Sequence, residues 1–247
     1  MKIVAWIIRG LNKLFKQKEL CRFIRMNKIR LLAILEHRVT ETNANQILKK
    51  VAAGWRCVTN YETNGKGRIW VIWDPNILQF NEMVKSNQLI HGKVFIGALK
   101  LQFYFTAIYG LHTIEDRKIL WHELEVIHSG TDGACIAMGD YNAILGVDDR
   151  VYGNPVQEVE IRDFRNFMLN NNMNELKYIG RKFTWTNNHV WSKIDIVIVN
   201  AEWMTIMKQM KMIVMDLFIA DHSPLSIQFE DTAQGGPKPY HFYNYVA

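Results

Sequence analysis

The sequence predicts a two-sheet α/β sandwich with helices on its outer faces. Three observations predict it. Strand-like and helix-like segments alternate at both ends of the chain. Short β-type runs follow one another in its middle. Of the 247 residues, 49% are apolar, enough for a full core. Eight Trp and twelve Phe belong to packed layers rather than to a disordered chain.

Residues 2–8 are an apolar run and read as a buried strand. Gly10 and Asn12 break it, and Asn12 is placed to cap a helix over 13–27. In that helix Leu14, Phe15, Leu20, Phe23 and Ile24 form one apolar stripe, with lysines and arginines opposite. Residues 29–35 make a second buried strand ending at Glu36, and Thr40 starts a helix with Ile47, Leu48 and Val51 inward. Between Trp55 and Tyr109 the pattern predicts an antiparallel meander over 55–61, 68–73, 78–83, 95–98 and 102–109. Asn64-Gly65 and Asp74-Pro75-Asn76 supply its turns. Thr113 with Asp116 three residues on resembles a capping box and opens a helix to about 129. A strand over 134–138 then runs into Gly139-Asp140, and a helix covers 158–170. Strands follow near 182–186, 194–199, 210–215 and 224–228, with a short helix at 201–207.

The formal net charge of +6 suits a polyanionic partner without singling one out. Cys21, Cys57 and Cys135 have neither zinc-site spacing nor a disulfide framework, so a reducing compartment is the plainer reading. The apolar N-terminal run is too short for a signal peptide. No stretch reaches the roughly 18 apolar residues that a membrane-spanning helix needs.

Carboxylates, an amide and a histidine recur at predicted strand ends. Glu36 follows the second strand, where a solvated loop carboxylate is the plain alternative. Asp140 and Asn142 stand two apart after an apolar run, so in extended chain both face one spot; a simple Asx turn is the alternative. Asp195 interrupts the apolar run Ile194–Val199. Burying a carboxylate there is costly unless it is paired, and His222 in Asp221-His222-Ser223-Pro224 is the natural partner. A buried Asp holding an imidazole fixes its tautomer, as an acid/base pair requires. His122 and His128 sit six apart on a helix and do not share a face; His37 is expected at the surface. Met207, Met210, Met212 and Met215 read as packing residues.

Together these residues resemble the endonuclease/exonuclease/phosphatase superfamily. Within it the chain is similar to the endonuclease domain of plant non-LTR (long interspersed element) retrotransposons. The resemblance rests on the joint order of several motifs. They are Ala5-Trp6-Ile7-Ile8-Arg9-Gly10-Leu11-Asn12, Leu35-Glu36, Gly67-Arg68-Ile69-Trp70, Tyr109-Gly110, Gly139-Asp140-Tyr141-Asn142, Phe183-Thr184-Trp185, Ser192-Lys193-Ile194-Asp195 and Asp221-His222-Ser223-Pro224. It covers residues 1–229 as one domain and leaves 230–247 as a tail or the start of a following region. It implies a DNase I-like α+β fold of four layers: two mixed sheets face to face, with helices outside.

The resemblance also implies roles. Glu36 is the main magnesium ligand, with manganese as the alternative ion and Asp221 near the metal or assisting proton transfer. Asp140 activates the attacking water and Asn142 holds the phosphate. Tyr109 contacts the phosphate or stands near the leaving oxygen, and His222, oriented by Asp195, polarises the phosphoryl oxygen. Thr184 supports the site. Arg9, Arg68 and Lys193, with Lys66 and Arg150, suit a DNA backbone. The reaction implied is magnesium-dependent phosphodiester hydrolysis that nicks DNA, which places the protein in the nucleus, with no membrane and no obligate protein partner.

The chain departs from the family pattern at Ile7, where Asn is usual. Isoleucine makes no hydrogen bond, and losing one such contact to a developing charge costs on the order of 10²–10³ in rate. Ala5 for Ser, Ile196 for Arg and Ala220 before Asp221 are milder departures. Two alternatives therefore stand beside the nuclease. One is a decayed remnant that only binds nucleic acid. The other is a phosphatase or phosphodiesterase of the same fold acting on a substrate other than DNA.

Overall fold

The chain runs through β1 (Lys2–Ile7), α1 (Leu14–Met26), β2 (Ile29–Leu35), α2 (Glu41–Val51), β3 (Arg56–Thr59), α3 (Tyr61–Asn64), β4 (Ile69–Trp73) and β5 (Gln79–Lys85). It continues through β6 (Leu89–Ile96), β7 (Leu101–Tyr109), α4 (Ile114–Ser129), β8 (Cys135–Asp140), β9 (Arg150–Val151), α5 (Glu158–Asn170), β10 (Asn174–Glu175) and β11 (Tyr178–Gly180). Last come β12 (Trp185–Thr186), β13 (Trp191–Ser192), β14 (Asp195–Val199), α6 (Ala201–Ile206), β15 (Met212–Val214) and β16 (Leu225–Gln228). This computed structural model describes residues 1–65, 67–207 and 210–229. The tail predicted at 230–247 lies outside the described residues, as does Lys66.

Alternation along the strands sets the layers, because successive side chains point to opposite faces. In β1, Ile3, Ala5 and Ile7 join Leu31, Ala33 and Leu35 of β2 and Phe103, Phe105 and Tyr109 of β7 in a core between two sheets. Val4 and Trp6 point the other way, onto Leu20, Phe23 and Ile24 of α1 and Ile47 and Val51 of α2. On the far side, Ile108, Ala137, Ile196 and Ile198 meet Leu120, Trp121 and Leu124 of α4 and Phe164 and Phe167 of α5. The result is the expected four-layered sandwich. One sheet has the order β11-β15-β16-β1-β2-β4-β3, the other β10-β14-β8-β7-β6-β5. Both are mixed: β1 runs parallel to β2 across α1, and β7 parallel to β8 across α4, whereas β8 and β14 are antiparallel. A small third sheet, β12-β13-β9, lies outside both.

The structure corrects several local expectations. The central β region is not one meander: β3 and β4 belong to the first sheet and β5, β6 and β7 to the second. The run expected at 95–98 is the end of a longer strand, β6. Its first half is disguised by His91 and Gly92. A Cβ at Gly92 would lie 2.4 Å from the Asn81 carbonyl oxygen, so the glycine permits close approach of β5. The strand expected at 55–61 is shorter and gives way to the single turn α3. The run expected at 182–186 pairs only over Trp185–Thr186. In α1 the stripe begins at Leu20; Leu14 and Phe15 are exposed, and Lys13 rather than Asn12 precedes the helix. His37 is buried, not superficial. Its ring lies 4.2 Å from that of Trp70, and burial beside Arg68 pushes its pKa down to about 3.

Candidate active site

Three strand ends converge. On β8, Asp140 stands in register with Tyr109 of β7 on one side and Asp195 of β14 on the other. Gly139 makes this possible: its φ is +146°, and a Cβ there would lie 2.1 Å from the Ile108 carbonyl oxygen. Asp140 and Asp195 are therefore two buried carboxylates side by side. His222 closes the group, its Nδ1 lying 2.8 Å from Asp195 Oδ2. Trp6 Nε1 donates to the His222 carbonyl at 2.9 Å, which anchors this loop to β1.

Thr184 supports the group from behind. Its Oγ1 accepts the backbone N–H groups of Ile194 and Asp195, at 3.1 and 3.0 Å, and so fixes the start of β14. Asn142 does not simply point beside Asp140. It takes a left-handed φ of +46°, its N–H donates to Asp140 Oδ1 at 2.7 Å, and its Nδ2 donates to the Gly110 carbonyl at 2.6 Å. The Asx turn weighed from the sequence is thus present, and it holds the Asp140 carboxylate.

The electrostatics of the group follow from burial and mutual charge. Burial and the Asp195 charge push the Asp140 carboxyl up to about 8, against the pull of His222, the Asn142 N–H and Arg9. Burial pulls His222 down, but the charge and hydrogen bond of Asp195 outweigh it and raise its pKa. Asp140 Oδ2 and His222 Nε2 are buried and have no hydrogen-bond partner among the described residues. Such atoms are costly unless something is bound to them.

Glu36 leaves β2 with a φ of +46° and a side chain only 1% exposed. Arg9 Nε donates to its Oε2 at 2.5 Å, and Arg38 donates to Oε1 at 2.8 Å, with Arg68 3.7 Å away. Burial pushes the Glu36 carboxyl up; the Arg38 and Arg9 hydrogen bonds and charges outweigh it and hold the carboxyl low. Arg9 also reaches Asp221, Nη1 to Oδ2 at 2.6 Å, and Trp185 Nε1 donates to the same oxygen at 3.3 Å. Tyr109 is buried under the Arg68 guanidinium, 5.9 Å from ring centre to Cζ, and burial with the Glu36 charge raises its phenol. Arg38 is not among the residues the sequence singles out, and Trp6 and Trp185 stand in the quoted motifs without an assigned role. The signal for Arg38 was its place two residues after Glu36.

No family model matches the sequence, and no curated protein matches it. Solved structures do match its fold. The endonuclease domain of TRAS1, a telomere-specific non-LTR retrotransposon, superposes with a TM-score of 0.69 at 11% identity, covering 92% of this chain and 96% of that one. The AP endonuclease LMAP from Leishmania major gives a TM-score of 0.67 at 15% identity, covering 92% and 86%. A mannosyl-6-phosphatase from Bacteroides thetaiotaomicron gives 0.61 at 10% identity, covering 92% and 98%.

The chain has the endonuclease/exonuclease/phosphatase fold.

In this fold the chain brings together Glu36, Tyr109, Asp140, Asn142, Asp195, Asp221 and His222, with Arg9, Arg68 and Thr184 among them. Lys193 is the exception. It was expected at a nucleic-acid surface, but its ammonium is buried between Asp149 and Glu175, 3.0 Å from each. Arg150, also expected to be free, pairs with Glu160 at 2.8 Å. Two places bear on a metal ion. Donor atoms of Asp140, Asp195 and His222 lie within 4.8 Å of one another, close enough to hold one ion, and the unpartnered Asp140 Oδ2 and His222 Nε2 fit it. Glu36 and Asp221 do not fit one as arranged, because a guanidinium already bridges them.

Proposed function

We propose that this protein hydrolyses phosphodiester bonds in DNA, nicking one strand as a retrotransposon-type endonuclease does, and that it works in the nucleus. The observation that carries the reading is the buried group of Asp140, Asp195 and His222, with Asp140 Oδ2 and His222 Nε2 both unpartnered. Its likeness in fold to two proteins named as endonucleases supports the choice of DNA.

Asp140 takes a proton from a water, whose oxygen bonds to phosphorus. His222, held in one tautomer by Asp195, donates from Nε2 to a phosphoryl oxygen. The bond from phosphorus to the leaving oxygen breaks, and that oxygen takes its proton from a solvent water on the exposed side where Asp221 stands. Tyr109, kept neutral, stands beside Asp140, and Thr184 positions Asp195. Arg9 and Arg68 bring positive charge to the phosphate, which matters most in a site shielded from water. A divalent ion, magnesium or manganese, held by Asp140 Oδ2 and His222 Nε2 would supply that charge in place of the proton transfers at these two atoms, because a ring nitrogen that binds a metal carries no proton. An imidazole donor favours manganese, since magnesium prefers an all-oxygen shell. A nick of this kind exposes a 3′ hydroxyl able to prime synthesis.

Incubation with supercoiled plasmid and magnesium or manganese tests the reading, beside Asp140→Asn and Ile7→Asn. Nicking by the native chain, lost in Asp140→Asn, is the expected result. Nicking only after Ile7→Asn would show that Ile7, buried in the core beneath the site, disables an otherwise intact centre. Salt-sensitive plasmid binding with no nicking by any version would favour a binding protein. Hydrolysis of a small phosphate diester but not of plasmid would move the substrate away from DNA.

A further inference from the structure

Arg9 lies between two carboxylates that come from opposite ends of the chain. Its Nε is 2.5 Å from Glu36 Oε2 and its Nη1 is 2.6 Å from Asp221 Oδ2. Arg38 covers the other oxygen of Glu36 at 2.8 Å. Both Glu36 oxygens therefore accept charge-assisted bonds, the strong kind. A magnesium ion requires near-octahedral oxygen ligands at about 2.0–2.1 Å and would have to displace these bonds. Ile7, two residues before Arg9, offers no oxygen in compensation. The guanidinium cannot leave by losing its proton, because arginine stays charged in proteins. Its Nη2 takes no part in either bond, and the side chain is 29% exposed.

We propose that Arg9 is the resident cation of this site: its guanidinium permanently fills the position between Glu36 and Asp221 where a divalent ion would bind. Its free edge then binds an oxygen of the substrate phosphate directly. The proposal rests on reading this group of residues as a phosphodiester site, but it concerns which cation stands at Glu36 and is tested apart from activity. Its consequence is that a metal requirement, where one exists, belongs to Asp140 and His222 and not to Glu36.

Manganese binding, followed by electron paramagnetic resonance and calorimetry, decides it without any turnover. The proteins are the native chain, Glu36→Gln, Arg9→Asp, Arg9→Ala and the double variant Arg9→Asp with Glu36→Gln. Thermal melts select those that fold. Native chain and Glu36→Gln are expected to bind manganese alike, within about twofold in Kd, since a lost ligand would cost at least tenfold, about 1.4 kcal/mol. Arg9→Asp is expected to gain a further manganese ion, lost again in the double variant. Should Arg9→Asp not fold, Arg9→Ala is expected to show the same gain more weakly. A tenfold loss of manganese binding in Glu36→Gln alone would overturn the proposal. So would the absence of any gain on replacing Arg9. Failure of plasmid nicking would count against the proposed function and leave this manganese comparison intact.

Discussion

Asp140 and Asp195 are register partners on adjacent antiparallel strands, two buried carboxylates facing one imidazole. Burial first, and then the neighbouring Asp195 charge, push the Asp140 carboxyl up to about 8. As a base, Asp140 acts only when unprotonated, so the active fraction grows as pH rises through that value. His222 acts when protonated, and its raised pKa moves the loss of that proton upward as well. The rate of nicking is therefore expected to climb as pH rises through about 8 and to fall once His222 loses its proton. The apparent values belong to the three groups together. A rate already at its plateau at pH 6 would contradict this assignment of the base.

Much of this group was legible in the sequence, and the reason is burial cost. Asp195 stands at the start of an otherwise apolar strand, which demands a partner, and His222 is that partner although 27 residues away. Tyr109, Asp140 and Thr184 likewise join this buried group. What could not be read was pairing between distant charges. The Arg9–Asp221 contact spans 212 residues, and nothing local marks Arg9 as a bridge rather than a surface cation. Lys193 failed for the same reason, since Asp149 and Glu175 meet it only through the fold. In the fold, the strands with continuous apolar runs were plain, whereas β6, opening with Leu-Ile-His-Gly-Lys, hid its pairing because Gly92 breaks the pattern.

Gly139 connects strand packing to chemistry. Replacing it with alanine forces a side chain into a left-handed backbone conformation and against the Ile108 carbonyl. Strain of that kind costs about 1–3 kcal/mol before any shift of β8. Gly139→Ala is expected to lower the melting temperature and to reduce nicking more than the stability loss explains, because Asp140 is the next residue. An unchanged melting curve with full activity would show that the β7–β8 approach is looser than described.

Lys193 separates a structural role from a DNA-binding one. Removing its ammonium leaves Asp149 and Glu175 without their shared partner, and breaking a buried pair costs about 3–5 kcal/mol. Lys193→Ala is expected to lower the melting temperature by roughly 6–20 °C in a domain of this size. The salt dependence of plasmid binding should stay as in the native chain. A salt slope reduced by about one, with stability intact, would place Lys193 on the phosphate backbone instead.

The most direct test of the central claim is a double-mutant cycle on nicking rate with Asp195→Asn, His222→Ala and both together. Each single substitution is expected to reduce the rate by about 10²–10⁴, as loss of a positioned acid–base group does. The double variant should fall little below the worse single one, because Asp195 acts only through His222. Asp195→Asn nicking at the native rate, or losses that multiply in the double variant, would contradict the assignment of Asp195 and His222 as one working unit.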